Sequence, residues 1–140
     1  MKTRANTPSV WRKPLIKYVL QECTVRQPGI GPAIELGPEC GKLIVLTLGI
    51  NQTIEQQGLS VSIWGSADQL DWGTKPLVKF PQKYYCGMYS ILLNLAKHSG
   101  VRYIRVHWDV QRWSRRDRTP LFGFYVSLDE SGARLKSAVA

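Results

Sequence analysis

The chain has 140 residues, of which 44% are hydrophobic and 21% charged, and carries a formal net charge of +9. That length suits one domain able to bury its own core, and that composition excludes wholesale disorder. Its longest apolar runs, such as residues 43–45 and 91–93, fall far short of the roughly 20 residues that a spanning helix needs, so a membrane span is excluded.

The charge is unevenly placed. Residues 1–26 hold Lys2, Arg4, Arg12, Lys13, Lys17 and Arg26 against Glu22, and residues 102–118 hold six arginines against Asp109 and Asp117. The rest of the chain is neutral, so the whole excess lies in two segments suited to an anionic partner. No apolar stretch follows Met1-Lys2-Thr3-Arg4, which argues against a Sec-type signal peptide and makes a cytoplasmic location the expectation. Cys23, Cys40 and Cys86 are odd in number and lack metal-ligand spacing. They read as three small, buried or half-buried thiols in a reducing compartment.

In chain order, residues 1–12 form a polar, basic arm around Pro8 and Trp11. Residues 14–20 read as a strand, and Gln27–Gly31, with Pro28, Gly29 and Gly31, then breaks the pattern. Residues 33–36, between Pro32 and Pro38, suit an edge strand. Residues 42–48 are a continuous Leu/Ile/Val run and a firm strand, followed by a polar loop or single helical turn over 51–58. Residues 59–64 alternate, with Leu59, Val61 and Ile63 on one face and Ser60, Ser62 and Trp64 on the other. A turn-rich loop over 65–75 contains Asp68, Asp71 and Trp72; a short strand spans 76–80, and Tyr84-Tyr85-Cys86 follows. Residues 88–96 fit both helical and two-residue periods, and the neighbouring strands favour a strand. Residues 101–113 form the longest strand, with Ile104, Val106, Trp108 and Val110 inward and Tyr103, Arg105, His107, Asp109 and Gln111 outward. A basic loop over 114–120 leads to a last strand at 121–128, with Phe122, Phe124, Val126 and Leu128 inward. The expected fold is an all-β antiparallel sandwich over 13–128, a jelly roll of about eight strands. A basic arm at 1–12 precedes it and a tail at 129–140 follows it.

Three segments carry a family likeness. They are Lys42-Leu43-Ile44-Val45-Leu46-Thr47-Leu48-Gly49, Leu59 through Asp68 with the following Trp72, and Val101-Arg102-Tyr103-Ile104-Arg105-Val106. In order and spacing they resemble discoidin-type (coagulation-factor C-type) jelly rolls across about residues 42–110. The second segment matches that family's Ser-x-Asp-Gly-x-x-Trp turn, with Gln69 standing where the glycine falls. The family's end-joining disulfide has no counterpart. The resemblance implies a galactose-binding-like sandwich and a glycan or lipid headgroup as ligand, held by loops at one end.

Chemistry-bearing constellations are sparse. Arg105, His107 and Asp109 share a strand face, where His107 oriented by Asp109 has the form of a general base. Cross-strand charge pairing on a solvated face is the commoner role, and Cys86 reads as inert. Asp68 and Asp71 are few for a calcium site and more often form turns. Neither a metal nor a cofactor is expected, and no catalytic role. The candidate interaction surface is Trp64, Trp72, Tyr84, Tyr85 and Trp113, because aromatics outside a core mark contact patches. The candidate basic patch is Arg102, Arg105, Arg112, Arg115, Arg116 and Arg118, backed by Lys2, Arg4, Arg12 and Lys13 of the arm. The expected function is a non-enzymatic module that self-assembles or binds another protein. A nucleic-acid-binding or shell-type protein is the alternative, and the resemblance adds a glycan- or lipid-binding module.

Overall fold

The computed structural model describes residues 17–54, 57–112 and 120–129, with the backbone alone at Arg112. The arm over 1–12 and all of the tail beyond Asp129 lie outside the described residues. Among the described residues there are nine strands: β1 (Lys17–Val25), β2 (Gly29–Ile30), β3 (Ile34–Glu35), β4 (Leu43–Thr53), β5 (Gln57–Ser66), β6 (Val78–Lys79), β7 (Gly87–Asn94), β8 (Tyr103–Arg112) and β9 (Phe122–Asp129). One 3₁₀ turn, Leu95–Lys97, follows β7. No helix among the described residues is long and apolar enough to cross a membrane.

The strands form two antiparallel sheets. One runs β1-β9-β4-β7, the other β2-β8-β5-β6, with β3 beside β2 on the same edge of β8. Counting β2 and β3 as one broken strand, the pairs β1·β9, β2/β3·β8, β4·β7 and β5·β6 are nested, like one long hairpin folded in half and rolled. That connectivity is a jelly roll. It gathers the connections into two sets. Among the described residues, segments 26–28 and 80–86 lie at one end, and 36–42, 67–77 and 95–102 at the other.

Alternation drives the packing. Leu59, Val61, Ile63, Ile104 and Val106 are fully buried from the second sheet, and Val19, Ile44, Leu46, Leu48, Phe122, Phe124 and Val126 from the first. Each buried aliphatic or aromatic side chain contributes roughly 1.5–3 kcal/mol by leaving water. Trp108 is only partly buried: its ring meets Phe124 edge-on at 5.8 Å, and its Nε1–H donates to the Gln27 carbonyl at 3.0 Å. In the middle of β4, Gly49 has no side chain because the Tyr125 ring from β9 lies over it. An aromatic ring covering a strand glycine restores packing that the glycine lacks.

Strands form within the expected 42–48, 59–64, 88–96, 101–113 and 121–128. The ambiguous segment is a strand through Asn94 before Leu95 and Ala96 enter the 3₁₀ turn, and β8 covers Tyr103–Arg112 while Trp113 lies outside the described residues. Elsewhere the structure differs. β1 runs on to Val25, past the expected end at Leu20, because its register shifts on either side of Leu20. Val19 and Leu20 are both buried, so the two-residue period breaks and the exposed Gln21 and Glu22 look like a loop. The polar loop expected over 51–58 is largely strand: β4 continues to Thr53 and β5 begins at Gln57. Gln57 is 1% exposed, and its amide is fully used. Nε2 donates to Thr53 Oγ1 and to the Leu121 carbonyl, while Oε1 accepts from the Leu121 N–H. The strand expected at 76–80 shrinks to Val78–Lys79.

Candidate interaction surfaces

The outer face of β5 and β8 collects most of the singled-out polar and aromatic residues. Register places Trp64 opposite Arg105, Ser62 opposite His107 and Ser60 opposite Asp109. The Trp64 ring stacks on the His107 imidazole, with centroids 4.6 Å apart and planes 16° apart. Arg105 Nε donates to His107 Nε2 at 3.1 Å, and the Arg105 guanidinium lies over the Trp72 ring, 4.0 Å from its centroid. The result is a ladder: Trp64, His107, Arg105, Trp72. Its four members are each half-buried. Burial, and then the positive charge of Arg105, push the His107 pKa below its ordinary value, which favours the neutral imidazole that accepts from Arg105.

Trp72 reaches the ladder because of its loop. Ser66 Oγ accepts from the N–H groups of Asp68 and Gln69, and Asp68 Oδ1 accepts from those of Leu70 and Asp71. These N–H donors, with the Ser66 hydroxyl, hold the Asp68 carboxyl below its usual pKa. Gln69 adopts φ +67°, the left-handed conformation that glycine takes most easily. Trp72 Nε1 then donates to the Gln69 carbonyl at 3.1 Å, which folds the indole back over the sheet. Asp71 Oδ1 accepts from the Gly73 N–H. Both carboxylates therefore shape the turn, and no cluster of three metal-binding side chains occurs among the described residues.

Beside the ladder a groove of about 460 Å³ opens over Ser60 and Ser62, with His107, Asp109, Lys79 and Ile30 around it. Ser62, His107 and Asp109 are thus neighbours, a nearness that the sequence did not reveal. They do not form a relay: His107 Nε2 is occupied by Arg105, and Ser62 Oγ accepts from Trp64 Nε1 at 3.0 Å. Among the described residues, no hydrogen bond joins Ser62 to His107 or His107 to Asp109.

The other candidates lie elsewhere. Lys83 bridges to Leu59 at the start of β5, so Tyr84 and Tyr85 sit about 17 Å along the strand from Trp64, at roughly 3.3 Å per residue. The structure therefore does not join Trp64 and Trp72 with Tyr84 and Tyr85 in one surface. Tyr85 is 75% exposed and Tyr84 43%. Their loop is pinned by Tyr89, whose hydroxyl donates to the Tyr85 carbonyl at 2.9 Å and whose ring carries the Lys83 ammonium at 4.2 Å. The expected basic patch is also divided. Arg102 and Arg105 lie near one end of β8 and Arg112 at the other, about 23 Å beyond Arg105 by the same rise. Trp113, Arg115, Arg116, Arg118, Lys2, Arg4, Arg12 and Lys13 lie outside the described residues. Two of the thiols differ from expectation, since Cys40 and Cys86 are exposed; Cys23 is half-buried as expected, and burial raises its pKa with help from Glu22.

One surface was missed. Met88 (72% exposed) and Leu92 (50%) project from β7 on the outer face of the first sheet. Beside them stand Val45, the exposed Leu43, and Tyr125, which meets Tyr18 edge-on at 5.9 Å. The signal was present: if Tyr89, Ile91 and Leu93 face inward, two large apolar residues are left on the side that should be polar.

Compared with known families and curated proteins, the chain matches no family model and no curated sequence. Its class is defined by its architecture, an all-β sandwich of two antiparallel sheets.

Proposed function

We propose that this domain is a non-catalytic, self-assembling interaction module whose contact is the outer edge of β7, unpaired among the described residues, extended by the tyrosine loop before it. The observation that carries the reading is the contrast among the sheet edges. β2, β3 and β6 are two residues long, and β1 is broken by register shifts and carries Lys17 and Glu22. β7 is eight residues long, pairs with β4 in unbroken register, and contains no charged residue and no proline. Natural edges are usually protected by brevity, bulges, lysine or proline, because an exposed row of backbone N–H and C=O groups templates another strand.

A second copy suits this edge. An antiparallel β7–β7 pair centred on Ser90 sets Met88 against Leu92 of the partner subunit, and Leu92 against the partner's Met88. Such a two-fold contact is self-complementary. Two chains of charge +9 repel each other, and an uncharged strand is where they meet at least cost. The exposed thiols of Cys40 and Cys86 fit a reducing, cytoplasmic setting. The occupied imidazole of His107 supports a non-enzymatic role.

Solution mass from sedimentation or light scattering over micromolar to millimolar concentration tests this. The expected result is a rise toward twice the chain mass, strengthened by added salt as repulsion is screened, with Leu92→Lys and Met88→Lys remaining monomeric and folded. A wild-type chain that stays monomeric throughout, or lysine variants that associate as well as wild type, would overturn the proposal.

A further inference from the structure

We infer that Arg105 is a preorganised receptor for the phosphate group of a small anionic ligand. The inference is independent of the β7 edge, which belongs to the other sheet.

Three observations meet at this guanidinium. First, it has no carboxylate partner: the one ion pair among the described residues is Lys17 with Glu39, at 3.3 Å. Second, it is half-buried, so part of its hydration is removed without a counter-charge to replace it. Third, its position is held from two directions, with the Trp72 ring 4.0 Å from the guanidinium carbon and His107 Nε2 3.1 Å from Nε. Only Nε is engaged, and it gives its hydrogen to a neutral acceptor. The remaining donors of the fork, on the two Nη atoms, have no protein acceptor among the described residues. A planar fork with parallel N–H groups matches an oxyanion bidentately, which is why arginine recurs at phosphate sites.

The surroundings favour the same ligand. Restricting the long arginine side chain ahead of binding lowers the ordering cost that a free surface arginine would meet. Lys79 stands in the next row of the sheet, across Ser62 from His107, and adds a second cation on this face. The groove beside the ladder presents the Ser60 and Ser62 hydroxyls, the Asp109 carboxylate and the apolar wall of Ile30, a lining suited to a hydroxylated body. An arginine that served only as a shelf for Trp72 would gain from a carboxylate beside it, and the described residues supply none.

Two-dimensional NMR of the indole and arginine Nε–H groups reads the site directly, because Trp64, Trp72 and Arg105 each contribute one. Inorganic phosphate and glucose 6-phosphate are titrated separately at fixed ionic strength, with sodium chloride and glucose as the comparison arms. The expected result is saturable shifts of Arg105 Nε–H and Trp72 Nε1–H with both phosphates and none with chloride or glucose. Affinity should fall at least tenfold in Arg105→Gln and several-fold in Arg105→Lys, which keeps the charge but loses the fork. Lys97→Gln, exposed in the turn after β7, should bind as wild type does. Tighter binding of glucose 6-phosphate than of phosphate alone would indicate a ligand body lying in the groove, and equal binding a free phosphate. Shifts equal to those from chloride, or saturable binding that survives in both Arg105 variants, would overturn the inference.

Discussion

Replacing Gly49 with alanine should destabilise the protein by about 2 kcal/mol, and replacing Tyr125 as well should remove that penalty. Gly49 sits in mid-strand, opposite Tyr125 on one side and Met88 on the other. A Cβ built on it collides with the Tyr125 ring. Overpacking of this kind costs roughly 1–3 kcal/mol, and the displaced ring gives up its edge contact with Tyr18, worth about 1 kcal/mol. Against this, removing a strand glycine returns roughly 0.5–1 kcal/mol of chain entropy. In a Tyr125→Ala background the collision is gone and only the gain remains, so Gly49→Ala becomes neutral or slightly stabilising. The two sites are therefore coupled by about 2–3 kcal/mol, well above the few tenths expected of independent positions. Urea unfolding of wild type, both single variants and the double variant measures the coupling. An equal cost of Gly49→Ala with and without Tyr125 would show that the ring is not what excludes a side chain there.

Three further outcomes are expected. Gln57→Leu should cost about 2–4 kcal/mol by chemical denaturation, since it removes three hydrogen bonds and leaves the backbone of the half-buried Leu121 without its partner; a loss below 0.5 kcal/mol would mean that water replaces the amide. Gln69→Gly should stabilise by about 0.5–1 kcal/mol, because the left-handed backbone costs a non-glycine residue roughly 1–2 kcal/mol and glycine repays part of that in the unfolded chain; a lower melting temperature would refute the strain. Stability should decline on acidification from about pH 6.5, the usual histidine value. His107 has a folded pKa below that, so the unfolded chain takes up the proton first and its contribution, full above 6.5, is lost as pH falls. His107→Asn should flatten the slope between pH 7.5 and 5 measured by denaturant titration, and an unchanged slope would assign it to other groups.

The sandwich was legible where period-two burial is unbroken. Leu59, Val61 and Ile63 against Ser60 and Ser62, and Ile104, Val106 and Val110 against Arg105, His107 and Asp109, name both faces of the central pair β5·β8 without coordinates. β1 was legible only to Leu20, because its bulges place two consecutive side chains inside and erase the period beyond. The start of β5 was hidden because a buried glutamine looks polar until its three hydrogen bonds are seen. Trp64 was recognised as outward-facing, but not the stack that engages it, since His107 and Trp72 arrive from 43 and 8 residues away. Side-chain pairing across strands depends on register, and register is set by the whole sheet rather than by any one segment.

The nested pairing has a consequence for how the molecule comes into being. Lys17 stands opposite Leu128, and Val25 opposite Phe122. β1 must therefore wait for β9, the last of the described strands, so a growing polypeptide on the ribosome has no lasting partner for β1 until nearly all of the described roll has emerged. Closure across such separations is slow, on the order of milliseconds to seconds for topologies of this kind. During that interval β1 and the uncharged β7 are both open to the wrong neighbour. Crowded synthesis is therefore the condition under which this fold is most exposed to misassociation, and slower elongation would leave it exposed for longer.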